Sequence, residues 1–148
     1  MDLLQRFGEY AGEFEKTYED DDWTRLERFF DPDVRYVVSG STFDCELRGR
    51  EAVLSGIKKA LDGFDRRFDH REVEPAGDPV VGRNRVVFPT KLRYLKQGLE
   101  PLSFTLTETA EYDEEGRITL LRDDYDSGQD HVEQWLSSNI EAFDPSYE

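Results

Sequence analysis

The stretch Phe104–Asp126, FTLTETAEYDEEGRITLLRDDYD, limits the choice of fold more than any other part of this chain. It reads as two long strands joined by the short loop EEGR. If Asp113 pairs with Ile118 across that loop, Ala110 faces Leu121, Glu108 faces Asp123 and Leu106 faces Tyr125. Side chains alternate along a strand, so Phe104, Leu106, Glu108 and Ala110 share one face with Leu121, Asp123 and Tyr125. The other face carries Thr105, Thr107, Thr109, Glu111, Arg122 and Asp124, a polar set suited to solvent on an antiparallel sheet. Two carboxylates therefore sit opposite each other, about 5 Å apart at Cβ, within an otherwise apolar face.

The rest of the chain supplies helices and further strands. Leu3, Leu4, Phe7, Ala11, Phe14 and Tyr18 recur at spacings of three and four, which predicts a helix over about 3–19. Asp21 or Asp22 can cap a second helix over about 23–30, with Trp23, Leu26 and Phe30 on one side and Pro32 at its end. Val34, Tyr36 and Val38 alternate as a first strand, Ser39-Gly40-Ser41 turns, and 42–47 returns as a second. Beyond Gly49 a third helix over about 50–62 buries Val53, Ile57, Ala60, Leu61 and Phe64, and Gly63 suits its C-terminal stop. A third strand is expected near 68–74. A fourth, over 86–95, puts Phe88, Thr90, Leu92 and Tyr94 on one side, and its Pro89 requires an edge, a bulge or an outward-facing nitrogen. HVEQWLSSNIEAF, with Val132, Trp135, Leu136 and Ile140 on one face, closes the chain as an amphipathic helix.

Length and charge narrow the function classes. A chain of 148 residues without linker or repeat predicts a single domain over 1–148. Its 10 Phe and 7 Tyr suit a lined cavity as well as a packed interior. A net charge of −15 argues against nucleic acid and anionic membrane surfaces as partners, since both need a basic footprint. No apolar run approaches a membrane span, and the N-terminus lacks a basic start and a small-residue cleavage site, which reads as cytoplasmic. Cys45 stands alone, so no internal disulfide forms. With no histidine pair at ligand spacing and no phosphate loop, neither a metal nor another cofactor is expected.

The order helix, helix, strand, strand, helix, then four strands, together with DPDVRYVVSG, LRGREAV and EYDEEGRITLL, resembles the nuclear transport factor 2-like superfamily over about residues 5–127. That superfamily includes ketosteroid isomerases, scytalone dehydratase and SnoaL-like polyketide cyclases. The resemblance implies an α+β cone: a strongly curved, mainly antiparallel sheet wrapped round N-terminal helices, with a pocket at its mouth. It places Phe14, Val38 and Glu108 where ketosteroid isomerases carry a tyrosine, an aspartate base and a protonated acid. Only Glu108 is an acid, so that isomerase mechanism is not supported. It also places His70 near an inward-facing histidine of SnoaL-like relatives, and it implies a homodimer formed through the outer sheet face, where Val37, Val81 and Val87 fall.

The candidate catalytic residues are thus Glu108, Asp123 and His70. The carboxyl pair is either an acid/base pair in which one member keeps its proton, or a rim pair neutralised by an arginine such as Arg48 or Arg93. His70 either activates a substrate or sits at the surface between Asp69 and Arg71. Tyr36, Tyr94 and Tyr125 offer hydroxyls to a ligand or pack as core tyrosines. Phe14, Tyr18 and Trp23 from the helices, and Val38, Phe88, Thr90, Leu92 and Leu106 from the strands, complete the expected wall. Three functions fit: proton-transfer chemistry of isomerase, lyase or cyclase type on a small, largely apolar molecule; non-catalytic ligand binding; or a dimeric interaction module with a filled cone. The dimer is checked by sedimentation at micromolar concentration, where about twice the chain mass is expected and a clean monomer counts against it.

Overall fold

The computed structural model describes residues 1–41, 43–126 and 129–139. The first helix, α1 (Leu3–Asp20), starts where the Asp2 carboxylate accepts the Gln5 N–H at 3.0 Å, satisfying one of the amide donors left over in a first turn. It ends on Asp21, whose left-handed conformation turns its N–H back to the Thr17 carbonyl. The buried stripe of α1 is Leu3, Phe7, Tyr10 and Thr17, whereas Leu4 is exposed, so the apolar stripe runs through Tyr10. The second helix is a 3-10 segment, Trp23–Phe29, capped by the Asp22 carboxylate. Its apolar residues Trp23, Leu26 and Phe29 recur every three positions, the period of that helix, and buried Phe30 already opens the next strand.

The strands are β1 (Phe30–Ser39), β2 (Cys45–Arg48), β3 (His70–Pro75), β4 (Val80–Val81), β5 (Arg85–Leu95), β6 (Leu102–Tyr112) and β7 (Ile118–Tyr125); α2 (Arg50–Gly63) follows β2 and α3 (Gln129–Asn139) follows β7. They form a mixed, curved, unclosed sheet in the order β2-β1-β7-β6-β5-β3, with β4 also paired to β5. The β1–β7 pairing is parallel and the others are antiparallel. Pro32 lies not at a helix end but within β1, where the register against β7 shifts between Phe30 and Arg35. Gly63 is the last residue of α2 without a positive φ; the helix stops at Phe64, whose N–H reaches the Ala60 carbonyl.

Pro89 sits between the β3 and β4 pairings of β5, and its carbonyl accepts the Ala76 N–H at 2.9 Å. Its nitrogen therefore falls in a gap where no ladder donor is needed. The β6–β7 hairpin has the expected register at Ala110–Leu121, Glu108–Asp123 and Leu106–Tyr125. The closing pair is Tyr112–Ile118 rather than Asp113–Ile118, because a bulge intervenes between Glu111 and Tyr112 and Gly116 takes φ 79° in the loop.

The helices cover one face of this sheet. Phe7 of α1 stacks on Phe88 of β5 at 4.4 Å between ring centroids, and α2 buries Val53, Ile57, Ala60 and Leu61. Leu26, Phe29 and Phe30 are almost fully buried beneath α1, and complete burial of each such side chain contributes about 1.5–3 kcal/mol. Val132 and Trp135 of α3 are buried; Trp135 donates its indole N–H to the Glu100 carbonyl at 2.8 Å, and Ile140 lies outside the described residues. Of the valines expected on the outer sheet face, Val81 is exposed and Val37 and Val87 are half-buried.

Gly40 turns the chain out of β1 with φ 80°, and a Cβ built there would lie 2.6 Å from the Tyr125 carbonyl oxygen. Both strain and contact forbid a side chain, so Gly40→Ala is expected to destabilise the protein by more than about 1 kcal/mol in urea denaturation. An unchanged midpoint would contradict this packing of the β1 turn on the end of β7.

Candidate functional site

The hairpin register brings Glu108 and Asp123 together as cross-strand partners on the helix-covered face. Each is held by a neighbouring strand. The parallel pairing sets Val38 of β1 beside Asp123, and Tyr36, two residues back on the same face, donates its hydroxyl to Asp123 Oδ2 at 2.7 Å. On the other side, β5 presents Thr90, whose hydroxyl donates to Glu108 Oε2 at 3.2 Å. Asp123 is only 9% exposed, and its Oδ1 is buried with no hydrogen-bond partner among the described residues. An unpaired buried carboxylate oxygen costs free energy unless a proton or a ligand satisfies it. The arginines that could have neutralised the pair are engaged elsewhere: Arg93 Nη1 lies 3.5 Å from Glu72 and Arg48 Nη2 lies 2.9 Å from Glu46.

Both carboxyls border a partly open cavity of about 160 Å³ between α1, α2 and the sheet. An apolar cavity of roughly this size holds one benzene-sized ring. Burial raises the Glu108 carboxyl above the usual range, opposed by the Thr90 hydrogen bond and Arg71. At Asp123, burial and then the Glu108 charge push the carboxyl up to about 8, against the Tyr36 hydrogen bond that lowers it. Tyr10 of α1 also faces the pair; burial, then Glu108 and Asp123, hold its phenol well above its ordinary value.

A second polar cluster closes the cavity from the β3 side. Arg71 is mostly buried, with Nη1 3.1 Å from Glu15 Oε1 and Nε 3.2 Å from Asp65 Oδ2, the latter without hydrogen-bond alignment. Asp65 Oδ2 also accepts the Tyr94 hydroxyl at 2.9 Å. Burial raises the Asp65 carboxyl despite the neighbouring Arg71. At Arg71 burial acts to lower the guanidinium, but Tyr94, Asp65 and Glu15 outweigh it and the group is raised. Its guanidinium carbon lies 5.1 Å from the centre of the Tyr18 ring.

Of the residues expected at the site, Glu108, Asp123, Tyr36, Thr90 and Tyr94 border the cavity together with Phe14, Leu92, Leu106 and Tyr125. Four do not. Val38 is buried in the core, Phe88 is occupied by its stack on Phe7, Trp23 packs edge-on to Phe14 at 6.3 Å, and Tyr18 lies behind Arg71. His70 is corrected outright: its side chain is 60% exposed and Nε2 lies 3.6 Å from Glu72. With a period of two along β3, Arg71 and Val73 turn toward the cavity and His70 turns away. Sequence reading missed Tyr10, Glu15, Asp65 and Arg71. Tyr10 was findable, being three residues after Phe7 and four before Phe14. Among the described residues no three His, Cys, Asp or Glu side chains converge as metal ligands.

These raised carboxyls set a sign for pH dependence. Below about pH 4 the pair is protonated in both folded and unfolded chains, and its contribution to stability is fully present. As pH rises toward about 8 the unfolded chain ionises while folded Asp123 resists, so that contribution is lost. Asp123→Asn removes the penalty and can keep an acceptor for Tyr36. It should melt several degrees above the parent at pH 8, with the gap closing toward pH 4. Parallel melting curves across that range would contradict the raised titration.

With this geometry in hand, comparison with known proteins places the chain. A family model described as the SnoaL-like domain matches residues 11–121. No curated protein matches the chain in sequence. Among solved structures it is similar to an NTF2-like protein of unknown function from Burkholderia pseudomallei, with TM-score 0.69, 13% identity, and 93% of this chain and 98% of that one covered. It is similar to TerC co-crystallised with polyporic acid, at TM-score 0.65 and 15% identity, covering 93% of this chain and 99% of that one. It is also similar to a putative SnoaL-like polyketide cyclase from Shewanella putrefaciens, at TM-score 0.64 and 12% identity, covering 91% and 87%. At these identities the structures share the fold alone. No helix among the described residues is long and apolar enough to cross a membrane. The matched stretch spans most of the chain, and the chain belongs to the SnoaL-like domain family of the nuclear transport factor 2-like superfamily.

Proposed function

We propose that the cavity binds a small, largely apolar molecule and that Glu108 and Asp123 move a proton on it, in chemistry of isomerase, lyase or cyclase type. The observation that carries this reading is that Asp123, buried and with one oxygen unpartnered, borders a cavity beside a second raised carboxyl. Two carboxyls this close cannot both ionise cheaply, so near neutral pH they share one proton. The ionised member can take a proton from a carbon next to a carbonyl, and the protonated member can return one to another position. Tyr36 and Thr90 each hold one carboxyl oxygen by a hydrogen bond and so fix the pair at the cavity wall. Phe14, Leu92, Leu106 and Tyr125 supply the apolar wall, and Tyr94 anchors Asp65 at its far side. TerC's co-crystallisation with polyporic acid and the naming of the Shewanella protein as a putative cyclase support a ligand-bearing cone.

Non-catalytic binding is the second reading, favoured by the volume of about 160 Å³, which is below the several hundred ångströms cubed of most small-molecule sites. Deuterium exchange separates the two. One-ring carbon acids such as cyclic enones and 1,3-diketones are incubated with the protein in heavy water and followed by NMR. The catalytic reading expects accelerated exchange that falls by about 10²-fold or more in Glu108→Gln. Ligand-induced shifts without accelerated exchange would support simple binding, and exchange unaffected by Glu108→Gln would remove the pair from the chemistry.

A further inference from the structure

The charges around the cavity do not balance. Arg71 is the one cationic side chain in its wall among the described residues, and it is already taken up by Asp65 at 3.2 Å and Glu15 at 3.1 Å. Glu108 and Asp123 are faced by Tyr10 from α1, Tyr36 from β1 and Thr90 from β5, none of which carries positive charge. Asp124, the next residue of β7, belongs to the reverse face and pairs with Arg122 at 2.8 Å. Even with one proton shared between them, Glu108 and Asp123 keep a negative charge that has no ion pair of its own, and that Arg71, already engaged by Asp65 and Glu15, offsets only from a distance. Around it stand the rings of Tyr10, Phe14, Phe64, Phe104 and Tyr125, and aromatic rings present negative faces. A buried carboxyl pair without an ion pair, in a cavity lined by aromatic residues, is complementary to an ammonium group.

We infer that the cavity takes a monocationic amine on an apolar body of about one ring, with its ammonium group beside the Glu108–Asp123 pair and its ring against the aromatic wall. This rests on the reading of the cavity as a ligand site and adds the charge of the ligand. A carboxylate would meet Glu108 and Asp123 as a like charge. A neutral alcohol would fill the space but leave the excess charge uncompensated. The ammonium supplies the missing cation, and the volume of about 160 Å³ suits a six-membered ring bearing a short arm.

Three probes of similar size and different charge test this by titration calorimetry near neutral pH in about 150 mM salt, where surface attraction is screened. They are benzylamine, benzyl alcohol and benzoate. Benzylamine is expected to bind about ten-fold or more tightly than benzyl alcohol, with benzoate weakest. Asp123→Asn should erase the preference for the amine while benzyl alcohol binding persists. If that variant melts early, Glu108→Gln reads the same loss. Equal or tighter binding of benzyl alcohol would overturn the inference and leave the cavity as a ligand site. An amine preference surviving in both variants would also overturn it, since the attraction would then belong to the acidic surface. Failure of all three probes to bind at millimolar concentration would overturn both this inference and the ligand-site reading.

Discussion

Burial of the Asp123 carboxyl against Glu108 is the interaction on which the candidate site depends. It follows from register alone. Once the 113–118 turn fixes β6 against β7, the alternation of side chains carries both acids to the same face as Leu106, Ala110 and Leu121. A one-residue slip of β7 would put Leu120, Arg122 and Asp124 inside instead of Leu121 and Asp123. The apolar contacts that hold the sheet to the helices therefore also hold two acids at a cavity wall where they are poorly solvated. Much of the surrounding polar structure accommodates that cost: Tyr36 and Thr90 each satisfy one oxygen, while Asp123 Oδ1 is left over.

The Arg71 cluster meets a similar problem differently. Asp65 is also mostly buried, but a guanidinium and the Tyr94 hydroxyl stand beside it, so its charge has partners. Glu15 holds the same guanidinium from α1 and links the first helix to the edge strand β3. The cavity thus has one wall whose charges are paired within the protein and another whose charge is not. Structural polar networks tend toward the first condition. The second is costly to keep and is where a bound molecule changes the energy most.

Strong periodicity made part of this legible in the sequence. The hairpin register, the α2 stripe and the inward set of β5 rest on alternations of clear period, and the structure has them. HREVEP of β3 has no such alternation, with charged residues on both faces, so its phase and hence the choice between His70 and Arg71 could not be read. Trp23, Leu26 and Phe30 fit spacings of three and four, which predicts Phe30 within the second helix, whereas the 3-10 period picks out Phe29 and leaves Phe30 to β1. The closing pair of the hairpin differed because the left-handed loop glycine demands a bulge that hydrophobic pattern does not encode. Asp65 and Arg71 were invisible for a more general reason: an ion pair inside a cavity is set by how elements dock, and a local sequence of mixed charge reads as surface.

The central claim is that Glu108 and Asp123 form one proton-sharing unit in a poorly solvated site. Carbon-detected NMR titration of the two side-chain carboxyls measures this without reference to ligand or turnover. The account predicts mutually dependent two-step curves, with the upper step well above the ordinary carboxyl range and both curves simplified when the other acid is replaced by its amide. Two independent single-step titrations near about pH 4 would show the acids to be solvated or separately neutralised, and would contradict it.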